Sequence, residues 1–74
     1  MTKYEFLLKL QASGELRTLV NNGFISLKYL TWMEIYQYHL DHQKLSQFQV
    51  ALFFRVSKHL VNDAYQFMNE PLAV

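Results

Sequence analysis

The chain contains no cysteine, so neither disulfide bonds nor thiolate metal sites can add to the stability of its core. Its two glycines, Gly14 and Gly23, lie far apart and form no glycine-rich loop of the kind that holds phosphates. Charged residues interrupt every apolar run well before the roughly 18 residues that a membrane-spanning helix requires. The first ten residues carry charge and lack the apolar core of a secretory leader, so we expect a cytoplasmic protein with no membrane association.

Apolar and aromatic residues, in contrast, are abundant. Hydrophobic residues make up 51% of the 74 residues and aromatic residues 16%, which predicts a folded chain and not a disordered one. A chain of this length forms a single domain, residues 1–74, with a small core. So small a domain cannot bury all of its Phe, Tyr and Trp side chains. We therefore expect some aromatic surface to contact another molecule.

Net charge is only +1, which is low for a protein that binds nucleic acid. The charge is unevenly distributed, however. Residues 1–41 have four basic and four acidic side chains, whereas residues 42–62 have Lys44, Arg55 and Lys58 and no acid. Positive charge is thus concentrated in the second half of the chain, as contact with phosphates requires.

The first half of the chain has the signals of two or three helices. Thr2 and Glu5 form a capping box, and helical spacing continues to Asn22, where Asn22-Gly23 predicts a firm stop. Residues 2–22 are either one kinked helix or two helices, because a glycine such as Gly14 costs a helix only about 1 kcal/mol.

A longer central helix is predicted over residues 26–41, with Ser26 as its cap. It is apolar over more than half of its circumference. One stripe at helical spacing is expected to face the core, with Ile35 and Tyr38 partly off it: Tyr29, Trp32, Met33, Tyr36 and Leu40.

The segment 46–68 has the pattern of two short helices separated by a turn of about three or four residues. Ser46 and Gln49 form a capping box, and Leu45 and Val50 flank it as a hydrophobic staple. The same arrangement of a serine between two apolar residues recurs at Ser57. Pro71 prevents a further helix, so residues 71–74 are expected to be a frayed tail.

This segment resembles the helix-turn-helix motif of DNA-binding proteins, over about twenty residues from Gln47 to Gln66. The resemblance depends on apolar positions: Val50, Ala51 and Phe54 in the first helix, Val56 in the turn, and Val61 and Ala64 in the second helix. Arg55 occupies the turn position where many members of the family have glycine, so it must adopt a left-handed conformation at a cost of order 1 kcal/mol. The expected fold class is an all-α bundle of four to five helices containing a helix-turn-helix.

The resemblance implies a small DNA-binding protein, a transcriptional regulator or an accessory factor, that reads the major groove of double-stranded DNA with helix 57–68. Lysine and serine suit phosphates, whereas asparagine and glutamine pair with adenine edges. Asp63 on the same face is repelled by phosphates unless it accepts a hydrogen bond from cytosine. With so few cations, a homodimer is the expected binding unit. The expected DNA-contacting residues are Lys44, Gln47, Arg55, Ser57, Lys58, His59, Asn62 and Gln66.

A second interpretation is a protein–protein interaction module with the same fold. Phe48, Leu52 and Phe53 favour it, because they make the outward side of the first motif helix apolar. The sequence leaves three arrangements open for these side chains: the N-terminal helix covers them, they pair with a second subunit, or they dock another protein.

Catalysis and metal binding have little support. His39 and His42 are three residues apart, but no third strong ligand lies nearby in the sequence. Ser57 and His59 lack a third group that would orient them as nucleophile and base. We expect no enzyme activity, no cofactor and no metal site.

Overall fold

A computed structural model of the protein describes residues 1–73, which form five helices joined by short turns. The helices are α1 (Lys3–Ser13), α2 (Glu15–Asn21), α3 (Lys28–Asp41), α4 (Gln47–Phe54) and α5 (Lys58–Asn69). No strand occurs in the described residues, where one isolated bridge joins Thr2 to Pro71. The predicted fold class, a small all-α bundle, is confirmed.

The helix boundaries follow local signals in the sequence. The Thr2 hydroxyl accepts a hydrogen bond from the Glu5 backbone amide, and the Glu5 carboxylate accepts one from Thr2 in return. Gly14 takes φ 84°, so the N-terminal segment is two helices with a break at Ser13-Gly14 and not one continuous helix. Gly23 takes φ 78° and ends the turn after α2, as the Asn22-Gly23 pair predicts.

The start of α3 differs from the sequence prediction. The helix begins at Lys28, and no side chain caps it in the way that Thr2 caps α1. The Ser26 hydroxyl instead accepts a hydrogen bond from the Lys28 amide two residues on, at 3.3 Å. Ser26 therefore forms a local turn before the helix and not its N-cap.

The core lies where α5 packs against α1, α3 and α4. Val50 and Ala51 of α4 are buried, as are Val61 and Ala64 of α5. The predicted inward positions are thus confirmed for these four residues, whereas Phe54 and the turn residue Val56 are half-buried against the core. Within α3 the prediction is only partly right, because Ile35 is fully buried whereas Leu40 is 36% exposed.

The last described residues are held against the first. The Glu70 carbonyl accepts from the Lys3 amide at 2.9 Å, and the Leu72 amide donates to the Met1 carbonyl at 2.9 Å. Lys3 and Glu70 also form a salt bridge at 2.8 Å. Pro71 ends α5 as expected. Pro71 and Leu72 pair with the N-terminal segment, so these two residues are not frayed in the way that the sequence suggested for residues 71–74; Val74 lies outside the described residues.

Candidate nucleic-acid interface

Two capping motifs hold α4 and α5 in place. The Ser46 hydroxyl accepts from the Gln49 amide at 3.2 Å, and the Gln49 side chain accepts from the Ser46 amide at 2.9 Å. The Ser57 hydroxyl accepts from the Leu60 amide at 3.1 Å and so fixes the start of α5. Because that hydroxyl accepts this bond, its own proton remains free to be donated to a phosphate.

A turn of three residues joins the helices, and Arg55 is its critical position. Arg55 has φ 58° and ψ 44°, the left-handed conformation expected for it. The Val56 amide donates to the Ala51 carbonyl at 3.0 Å, and the Arg55 amide donates to the Leu52 carbonyl at 3.3 Å. This pair of bonds closes a helix end of the Schellman type, in which the left-handed position usually holds glycine.

Replacing Arg55 with glycine should stabilise the protein by about 1 kcal/mol, because glycine has no Cβ to oppose the left-handed backbone. The free energy of unfolding in urea measures the gain. The same substitution at Arg17, an exposed residue within α2, should destabilise the protein by about 1 kcal/mol. Equal effects at both positions would show that the turn stores no strain.

The outward face of α5 is accessible. Lys58, His59 and Gln66 are exposed, and Asn62 is half-buried beside α4. The Gln47 side-chain amide lies 3.5 Å from the Asn62 side-chain oxygen, a long hydrogen bond that joins the start of α4 to the middle of α5. Asp63 is also exposed, and within residues 1–73 it forms no salt bridge.

Only some of the residues that were predicted to contact DNA therefore lie together on one side of the α4–α5 pair. Ser57, Lys58, His59, Asn62 and Gln66 belong to α5 and its cap, and Gln47 contacts Asn62. Arg55 lies exposed in the turn directly before Ser57, and Lys44 lies exposed in the loop before α4. No hydrogen bond or salt bridge in the described residues joins Lys44 to the others.

Asn69 is a polar residue that the sequence interpretation did not include. Together with Gln47, Asn62, Gln66 and the acidic Glu70 it lines a shallow groove between the start of α4 and the last two turns of α5. Its side-chain oxygen accepts a hydrogen bond from the Tyr36 hydroxyl, which fixes its orientation. Residues three or four positions apart are neighbours on a helix surface, and positions 62, 66 and 69 have this spacing. That pattern could have identified Asn69 from the sequence.

Behind α5, two buried polar atoms have no hydrogen-bond partner within residues 1–73, the Tyr65 hydroxyl and His39 Nδ1. The two rings lie 4.3 Å apart. Burial raises the pKa of the Tyr65 hydroxyl above its usual range. His42 Nδ1 lies 3.0 Å from the Tyr38 carbonyl, and no group of three or more possible metal ligands occurs among the described residues.

The outward face of α4 is apolar and uncovered. Phe48, Leu52 and Phe53 are 58%, 63% and 62% exposed, so α1 does not cover them. Phe53 stacks on Tyr38 of α3 with ring centroids 4.4 Å apart, and His42 stacks on the same tyrosine at 4.1 Å. We call these five residues the α4 patch.

Comparison with protein-family models, with curated proteins and with solved structures finds no significant match to this chain. Among the helices of residues 1–73, none combines the length and apolar character that crossing a lipid bilayer requires. Interpretation of the α4–α5 surface therefore depends on its own chemistry.

Proposed function

We propose that the protein binds double-stranded DNA through a helix-turn-helix formed by α4 and α5, with α5 entering the major groove. The observation that carries the proposal is the division of α5 into two faces. Val61, Ala64 and Met68 are completely buried, whereas Lys58, His59 and Gln66 are exposed on the same helix. A helix held rigidly by one face can present the other to base edges without a further loss of conformational freedom.

The roles of the outward residues follow from their chemistry. Lys58, Arg55 and the free Ser57 proton suit phosphate oxygens beside the groove, and Lys44 adds charge from the loop before α4. Asn62 and Gln66 present side-chain amides that can pair with adenine, and His59 suits either a base or a phosphate. Gln47 is the first residue of α4, and its side chain donates a hydrogen bond to Asn62. In the proposal it also contacts a phosphate.

A protein of this kind would regulate transcription or assist another DNA-processing event, and we include a cytoplasmic location in the proposal. Neither role requires a cofactor, a metal or catalysis. With three cations near the surface, one copy would bind weakly, so we include a homodimer in the proposal.

A fluorescence anisotropy titration with random-sequence duplex DNA tests the proposal. At low salt we expect a dissociation constant in the micromolar range, rising steeply with ionic strength because each neutralised phosphate releases a counterion. For the three cations Lys44, Arg55 and Lys58, the slope of log K against log salt should be roughly −3 per copy. Absence of binding at about 100 µM protein in low salt would reject the proposal.

Replacement of Asp63 should have a second, smaller effect on DNA affinity in the same assay. The Asp63→Asn variant should bind random duplex several-fold more tightly, because it removes an exposed carboxylate from the face that meets phosphates. Glu15→Gln makes the same change of net charge but lies on α2, which packs mainly against α1 and not against the α4–α5 pair. It should leave the affinity unchanged. A gain of equal size in both variants would show that net charge alone controls binding.

The alternative function, a protein–protein interaction module, has one observation in its favour. The α4 patch leaves two phenylalanines and a leucine mostly exposed on one short helix. If the duplex titration detects no binding, this patch becomes the functional surface and the outward face of α5 a solvated one.

A further inference from the structure

We propose that the groove between α1 and α3 binds a linear aliphatic diamine, a molecule with an ammonium group at each end of a chain of methylene groups. No residue of α5 lines this groove. The inference therefore stands apart from the proposed function and does not require it.

The groove follows from the packing of the helices. α1 packs against α2 and α5, and α3 packs against α4 and α5, whereas α1 and α3 have no comparable contact with each other. The space between them has a volume of about 450 Å³ and is lined by three residues of α1, six of α3 and Phe54 of α4. This volume lies within the range of about 300–1,000 Å³ that is usual for small-molecule sites.

Much of the groove surface is apolar. Tyr4 and Met33 form its floor and are 6% and 5% exposed, and Leu30 lies beside them. Phe54 meets the Tyr38 ring edge-on, with the ring centroids 5.4 Å apart. A surface of this kind favours a chain of methylene groups, because removal of apolar groups from water is favourable.

The charge on the lining is entirely negative. Glu34 and Asp41 are the only charged residues among those that line the groove, and neither forms a salt bridge within residues 1–73. They are seven positions apart on α3, so they lie on the same side of the helix and about 10 Å apart along its axis. Two carboxylates at this separation match the two ammonium groups of a diamine with a chain of about eight carbons.

A chain of hydrogen bonds orients the Asp41 carboxylate. The Tyr4 hydroxyl donates to Gln37 Oε1, and Gln37 Nε2 donates to Asp41 Oδ1 at 3.1 Å. The second carboxylate oxygen of Asp41 can therefore accept from a ligand, and a group that is already oriented loses little freedom on binding. Burial and, as a smaller effect, the Asp41 charge raise the pKa of the Tyr4 hydroxyl, as a negative potential at the groove floor requires.

Titration of the full chain with an α,ω-diamine of about eight carbons, at low salt and without DNA, tests the proposal. Amide NMR signals of residues such as Leu8 and Met33, which line the groove from α1 and α3, should shift. We expect a dissociation constant in the millimolar range, because a small ligand in an open groove gains little from each atom. A diamine of about four carbons reaches only one of the two carboxylates and should bind roughly tenfold more weakly.

Substitutions of the two acids identify the site. Glu34→Gln and Asp41→Asn should each weaken binding of the longer diamine about threefold, and the double variant about tenfold. The matched control is the double variant Glu15→Gln and Asp63→Asn, which removes two exposed carboxylates outside the groove and should leave the affinity unchanged. Circular dichroism should give the same helix content for the wild type and both double variants.

Three results would overturn the proposal: no shift at about 50 mM diamine with the wild type folded, equal affinity for the two diamines, or equal losses in the two double variants. The duplex titration is a separate measurement. A chain that binds the diamine but no DNA keeps the groove site and refutes the proposed function, and a chain that binds only DNA does the reverse.

Discussion

Replacement of both Lys58 and Asn62 with alanine is expected to weaken binding by roughly 100-fold on duplexes that the wild-type protein selects from a random pool. Loss of Asn62 removes a side chain able to form a bidentate contact with adenine, worth about 1–3 kcal/mol of discrimination. Loss of Lys58 removes a phosphate contact and should reduce the salt slope by about 1. Anisotropy titrations at two or more salt concentrations measure both effects.

The two single variants should differ in kind. Lys58→Ala should weaken binding to selected and random duplexes by a similar factor, because phosphates carry no sequence information. Asn62→Ala should weaken binding mainly to the selected duplexes. It also breaks the 3.5 Å contact with Gln47, so a Gln47→Ala variant is needed to separate loss of the base contact from loss of positioning.

Matched controls lie on the N-terminal helices. Lys9 is an exposed lysine of α1 and Asn21 an exposed asparagine of α2, and the double alanine variant at these positions changes charge and composition equally. It should bind as the wild type does. If the variant at Lys58 and Asn62 also retains full affinity while remaining folded, the DNA-binding surface lies elsewhere.

Local features of this fold could be predicted from the sequence because they depend on residues three or four positions apart. The capping serines and threonine fix the starts of α1, α4 and α5 with backbone bonds that need no distant partner. Gly23 and the αL conformation of Arg55 likewise follow from the chain's need to end one helix and begin another. The accessible face of α5 follows from helical periodicity once its buried face is known.

Features that depend on distant parts of the chain could not be predicted in the same way. Pairing of the Leu72 amide with the Met1 carbonyl requires that the fold bring these two segments together. Ser26 has the sequence of a cap, but the turn after Gly23 leads into α3 at a different residue. The half-burial of Asn62 depends on the position of Gln47 across the turn, which helical spacing does not specify.

The assignment of the inward side of α3 shows the same limit. This helix is apolar over much of its circumference, and the sequence alone does not reveal from which directions its neighbours pack. In the structure α3 contacts both α5 and α4. Ile35, which lies off the predicted stripe, is therefore enclosed completely, whereas Leu40 on the stripe remains partly exposed near the end of the helix.

Replacement of Ile35 with alanine should consequently lower the free energy of unfolding by about 2–5 kcal/mol, through lost transfer energy and the cavity that remains. A domain of this size has a total stability of order 4–11 kcal/mol, so the variant would be close to unfolding. Leu40→Ala, which removes atoms that are already partly hydrated, should cost about 1–1.5 kcal/mol. Urea denaturation monitored by circular dichroism compares the two variants directly. Equal losses, or a larger loss at Leu40, would contradict the expectation, because they would mean that Leu40 faces the core at least as fully as Ile35 does.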